Sequence, residues 1–141
     1  MRDKENIHVK VQEMIDCYAT TDPLEEMSKI SSEEDLEEAA EKWLALATLH
    51  GINNNAKKIT ILRTPEGDVS VRAEYREKDL PSPGPAVGAN ILQAVRAMTH
   101  IEEDKGKMPL IMGVRNDSVE IGVKVKQKES GELVSLKFPE E

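Results

Sequence analysis

In the stretch PSPGPAVGAN, residues 81–90, two glycines precede the apolar helical pattern ILQAVRAM. Glycine-rich loops opening onto a helix hold phosphates, because free backbone N–H groups point at the anion and the helix dipole favours negative charge. The details depart from a nucleotide loop. A Walker-type loop separates its two glycines by four residues, then supplies Lys to neutralise phosphate and Ser or Thr to hold Mg²⁺. Here Gly84 and Gly88 are separated by three residues, and Ala89-Asn90 stands in place of Lys-Ser/Thr. The three-glycine dinucleotide pattern also fails, and the preceding segment lacks the continuous apolar character of a buried parallel strand. Pro81, Pro83 and Pro85 suit a stiff connector, and Asn90 with Gln93 three residues later reads as a helix cap. The expected role is a connector. The alternative is an enzyme or small-ligand site for an anion at Gly84, Gly88 and Asn90, with Arg72 or Arg76 supplying charge.

Other residues with chemical potential do not converge. Helical carboxylate–metal sites add a His three residues after a Glu. Glu5 and His8 form the one such pair, so the ladder Glu34, Glu37, Glu38 and Glu41 reads as a solvated helix face and no metal site is assigned. His50 falls at the end of a helical pattern, where an imidazole meets exposed carbonyls, and His100 points away from the apolar stripe of its own helix. The lone Cys17 excludes an internal disulfide and any multi-thiolate metal site. No catalytic grouping is assigned and no cofactor is implied.

The least ordinary charge pattern lies in GVKVKQK. Val123 and Val125 alternate with Lys124, Lys126 and Lys128, which places three lysines on one face of a strand. Arg72 and Arg76 recur at a compatible period upstream. If both strands present the same side, the sheet has a basic exposed face. Lysine rows also protect edge strands. The overall acidity, an aromatic content of 3% and nearby Glu74, Glu120 and Glu132 weigh against nucleic acid. A further possibility is that the basic face meets the acidic helices, within one chain or across a dimer.

That acidity is uneven. The net charge is −8, and residues 1–50 carry all of it, with 13 acids against 5 bases; residues 51–141 hold 14 of each. The acidic front end is a solvated face or a docking surface for a basic partner. With 141 residues the chain is expected to be a single domain, an acidic helical part (1–52) followed by a hairpin–helix–meander part (53–141). No run of about 20 apolar residues spans a membrane. With no signal-peptide pattern at the amino terminus and one thiol, the expected compartment is the cytoplasm.

The elements that must position these residues follow from periodicity. Ile7, Val11, Met14, Ile15 and Tyr18 recur at helical spacing, although Ile7, Val9 and Val11 also alternate as a strand would. Asp22 with Pro23 starts a second helix. Ser31 with Glu34, or Ser32 with Asp35, resembles a capping box for a third, in which Leu36, Ala40, Trp43, Leu44 and Ala47 form one stripe, and Gly51 is expected at its C′ position. KITILRT and VSVRAEYRE around PEGD predict a β-hairpin; MPLIMGV, SVEIGVKVKQK and ELVSLKF, broken at RND and ESG, predict a three-stranded meander. Helices, hairpin, helix and meander in that order indicate an α+β fold, an antiparallel sheet packed on one face by helices. Leu46 and Leu49 widen the apolar arc of the Trp43 helix almost all round, so Trp43, Leu46 and Leu49 are expected to mediate self-association, as a dimer. The function expected is a small, non-catalytic binding protein; nucleic-acid binding through Lys124, Lys126, Lys128, Arg72 and Arg76 ranks third, after the anion site.

Overall fold

A computed structural model describes residues 4–32, 35–74, 78–114 and 117–139. Four helices and six strands follow one another as α1 (Lys4–Tyr18), α2 (Pro23–Met27), a 3₁₀ turn (Ile30–Ser32), α3 (Leu36–Asn53), β1 (Lys58–Arg63), β2 (Val69–Ala73), β3 (Lys78–Leu80), α4 (Pro85–Thr99), β4 (Lys105–Val114), β5 (Asp117–Lys128) and β6 (Gly131–Lys137). The strands form one antiparallel sheet in the order β3-β2-β1-β6-β5-β4. The α+β architecture, with hairpin and meander in one antiparallel sheet, is as expected. The short strand β3 is an addition. A three-residue strand ending at Leu80 offers no alternation to read.

Burial decides the ambiguous amino terminus. Ile7, Val11 and Ile15 lie on one side of α1 and are fully buried, whereas Val9 is exposed, so the period is helical. Asp22 caps α2, its side chain accepting from Leu24 N at 3.1 Å, with Pro23 in the first turn. The third helix starts later than the capping-box reading placed it: Asp35 is its N-cap, accepting from Glu38 N at 3.1 Å, and residues 30–32 form the 3₁₀ turn before it. Gly51 is not a C′ residue either. The helix runs through it to Asn53, and Asn55 takes the left-handed conformation (φ 51°). Gly51 is needed for space, because a Cβ there would strike the Phe138 ring.

The core lies between the helices and one face of the sheet. Ile59 and Ile61 of β1, Val134 and Leu136 of β6 and Ile121, Val123 and Val125 of β5 all bury against it, together with Ile91, Val95 and Met98 of α4. Register makes this consistent: Ile61 lies opposite Val71 on β2 and Val134 on β6, and Val134 lies opposite Val125. Every residue of α3 from Trp43 to Gly51 is buried, because α1, α2, α4 and the sheet surround it. Burying an aliphatic side chain there contributes roughly 1.5–3 kcal/mol. Helix α4 joins the two edges of the sheet, β3 and β4, and Arg96 fixes the turn that follows by donating to the carbonyls of Ile101 (3.1 Å) and Glu103 (2.8 Å). No described helix is long and apolar enough to cross a membrane.

Part of the β4 edge is covered, and the β3 edge is short. On β4, Gln12 of α1 pairs with Gly113 as a neighbouring strand would, its amide donating to Gly113 O and accepting from Gly113 N, each at 2.6 Å. His8 Nε2 lies 2.9 Å from Ile111 O, and Pro109, two residues earlier in the same outward-facing series, has no N–H to offer. The other edge, β3, is three residues long and is followed by Pro81. Short edges and proline are recurrent defences against strand addition.

Candidate anion-binding face

The side of the sheet away from the helices bears the alternate residues of each strand, and the register sorts them into rows. One row runs Arg72, Thr60, Ser135, Lys124, Lys107 from β2 to β4. The next runs Ser70, Leu62, Leu133, Lys126, Lys105. A third, at one end of the strip, runs from Lys58 through Lys137 and Gly122 to Pro109. Arg72 and the lysines of β5 thus share one surface, as the alternation required, and Lys58, Lys105, Lys107 and Lys137 join them. Lys128 follows Lys126 on β5, opposite Gly131. Arg76 lies outside the described residues.

The rows line an open cleft of about 930 Å³. Its neutral centre is Thr60, Leu62, Leu133 and Ser135 on the two middle strands; Leu62 is 38% exposed although Leu133 lies directly opposite. Thr60 and Ser135 satisfy each other, hydroxyl to hydroxyl at 3.1 Å. Arg72, which is already engaged and stands opposite Asp79 of β3, bounds the cleft on one flank together with Glu74, and Lys107, Lys124 and Lys126 bound it on the other.

The charge arrangement on that second flank is costly. Lys124 faces Lys107 and Lys126 faces Lys105 directly across the β4–β5 pair, and like charges placed opposite one another destabilise a sheet. Among the described residues no carboxylate lies within ion-pair distance of Lys105, Lys107, Lys124 or Lys126; the nearest acid–base pair of this face, Lys58 with Glu74 at 3.7 Å, is at its far end. Lys126 is held below the usual lysine range, first by a hydrogen bond with Lys128, then by the charge of Lys128, by desolvation and by the charges of Lys124 and Lys105. A bound anion would relieve this repulsion.

The loop at residues 81–90 is occupied by structure. The helix begins at Pro85, five residues before the expected cap, with Gly84 as N-cap at φ 89°, ψ 163°, a conformation essentially restricted to glycine. Asn90 is inside the helix and donates to Ala86 O at 3.1 Å, so it does not cap. Gly88 allows α4 to approach β2, where a Cβ would come within 2.5 Å of Val69 Cγ2. The Gly84 N–H is taken by Ser82 Oγ at 3.2 Å. Arg72 projects from the opposite face of the sheet, so it and α4 do not converge on one site.

Trp43, Leu46 and Leu49 are each 0% exposed within a single chain. They offer no surface to a second copy, and the wide apolar arc is explained by packing inside the monomer. The acidic ladder also divides. Glu37 and Glu38 are exposed, Glu41 is buried and engaged, and Glu34 lies outside the described residues. His50 is buried at the end of α3, where the Asn54 amide donates to its carbonyl at 2.8 Å. His100 is exposed as the left-handed C-cap of α4, and Cys17 is exposed on α1. The helical acids and the sheet lysines occupy opposite sides of the molecule, so they do not meet within one chain. Compared with known protein families and with curated proteins, the chain matches no family model and no curated sequence.

Four lysines of the face, at 58, 105, 107 and 137, were not singled out from the sequence. Lys105 and Lys107 carried the same alternating signal as the β5 lysines, in KGKM. The other two were isolated, and only the pairing of β1 with β6 brings them side by side.

Proposed function

We propose that this protein acts by binding an anionic partner on the open face of its sheet, rather than by chemistry. The observation that carries this reading is the double lysine pairing across β4 and β5, Lys107 with Lys124 and Lys105 with Lys126, without a carboxylate of the described residues to offset it. Like charges set opposite one another cost a sheet stability, and although lysines on an edge strand also guard against strand addition, departures of this kind concentrate where a molecule binds something. The acidic helical side is a separate surface, suited to basic partners.

The test is an amide-resolved NMR titration with poly-L-glutamate. Shifts are expected along β4, β5 and β6 and around Leu62, weakening as salt is raised, because exposed charge interactions are screened over roughly 8–10 Å. The double variant K124E/K126E should abolish them with the fold intact. Shifts confined to the helices, or none at low salt, would refute the reading.

A further inference from the structure

We infer that Lys126 is a nucleophilic amine at which this face takes up small anionic aldehydes as an imine. The inference rests on the reading of the face as an anion-binding surface and adds a covalent step at one of its residues. The modification turns nothing over, so it stands beside partner binding rather than in place of it.

Register singles out this lysine. Lys105 stands opposite it on β4, and Lys124 and Lys128 lie two residues to either side of it on β5, on the same face. On the remaining side, across on β6, is Leu133. Lys126 therefore meets a cation on three sides and an apolar side chain on the fourth. It is half-buried, whereas Lys105, Lys107, Lys124 and Lys128 are exposed. The acids nearest in sequence, Asp104, Glu129 and Glu132, stand outside ion-pair distance of it, and Glu132, paired with Gln127, alternates to the other side of the sheet.

The lysine pairs also occupy the tightest positions an antiparallel ladder offers. Gln127 N donates to Asp104 O at 2.6 Å, and the Gly113 backbone turns outward to Gln12. Hydrogen-bonded pairs alternate with open ones along such a ladder. Lys105–Lys126 and Lys107–Lys124 are both open pairs, in which Cα atoms stand about 4.5 Å apart and side chains are closest.

An ammonium crowded by like charges gives up its proton more readily than one alone, and a lysine beside other cations is thereby activated toward carbonyl compounds. Lys126 is held below the usual lysine range, first by its hydrogen bond with Lys128. Its neighbours stay charged and serve twice. They attract an acid or phosphate group on the incoming molecule, and they supply the proton that dehydration requires. The Nζ lone pair attacks the aldehyde carbon, a C–N bond forms, and the carbonyl electron pair moves to oxygen, which takes up one nitrogen proton. A neighbouring ammonium protonates the resulting hydroxyl, which leaves as water while C=N forms. The second nitrogen proton restores that ammonium. Amine and aldehyde give imine and water, with no oxidant or reductant. The product removes one amine from the crowded row and brings in an anion, so it relieves repulsion that the free face carries.

The experiment uses the full chain and three probes. Pyridoxal 5′-phosphate is an aldehyde bearing a phosphate, pyridoxal is the same aldehyde without it, and acetic anhydride is a neutral acylating reagent. Borohydride fixes the imines, and peptide mass spectrometry locates the label among the lysines. Limiting pyridoxal 5′-phosphate is expected on Lys126 ahead of every other lysine. Pyridoxal should label it at least about tenfold more slowly, since a cleft of one charge sign concentrates its counter-ion by that order. Acetylation of Lys126, followed against pH, should have its midpoint below 10.5. Lys105→Gln and Lys128→Gln each remove a repelling cation, so neither threatens the fold. Each should slow pyridoxal 5′-phosphate labelling of Lys126 several-fold and raise the acetylation midpoint. Label spread evenly over exposed lysines, or gathered on another lysine, would overturn the assignment, as would unchanged labelling in both variants. Equal labelling by the two aldehydes would overturn the anionic class. If Lys126 stays unlabelled while poly-L-glutamate still shifts β4, β5 and β6, the imine is lost and the anion-binding face stands. If both fail, both readings go.

Discussion

The two charged sides of this molecule are built on opposite principles. On the helical side, charges sit where they stabilise their own elements. Asp22 and Asp35 cap α2 and α3, and Glu26 lies between Lys29 (3.4 Å) and Lys42 (3.7 Å), the latter 5.0 Å from the centre of the Tyr18 ring. On the open face of the sheet, lysines stand opposite lysines. The first set is explained by the fold alone. The second costs the sheet stability, and the difference separates charges that stabilise their own elements from charges that repel one another across a strand pair.

Breaking this comparison begins with the core that separates the two sides. Leu46→Asp places a charge at a fully buried position in α3, a cost above roughly 4–5 kcal/mol, so the variant should lose its fold rather than dissociate an assembly. Far-ultraviolet circular dichroism and sedimentation together distinguish those outcomes. Gly51→Ala should cost about 1–3 kcal/mol through the Phe138 ring, measured by urea unfolding. Removing the cap in Asp35→Ala should cost about 1 kcal/mol and leave binding to the sheet face unchanged.

The opposite sign is expected on the sheet. Lys126→Gln removes a repelled cation, so it should unfold at a slightly higher urea concentration than the natural chain while binding anions less well. This is the smallest effect and the one that sharpens the contrast most. The pH dependence follows. Because Lys126 titrates below its ordinary value when folded, the unfolded chain holds more protons between the depressed value and 10.5. Stability therefore rises with pH through that interval, as repulsion is relieved. Lys126→Gln should flatten this rise, read from urea midpoints at successive pH values.

Much of the fold was readable from local pattern, and the misses share a cause. Asp22-Pro23 is legible as cap and first turn, whereas at Gly84-Pro85 the same rule competes with Asn90 and Gln93, which offer a second start. Gly51 resembled a helix terminator by residue type. Its true constraint is the Phe138 ring, which arrives from the far end of the chain. The apolar arc of α3 was real, but an apolar helix surface is the same in sequence whether its own chain or another covers it.

The sequence by itself determined the type of each major element, the uneven acidity and the face on which the β5 lysines lie. These depend on periods of 3.6 and 2 and on counting, and both are local. Only the tertiary structure decided what those lysines confront. Thr60 and Ser135 are 75 residues apart and hydrogen-bonded, and their strands place Arg72, Lys58 and Lys137 around the same neutral strip as Lys124 and Lys126. Alternation assigns a side chain to one of two faces, but which strands lie beside each other, and in what register, depends on long-range burial against α3 and α4. A surface shared by five strands exists only once that burial has paired them.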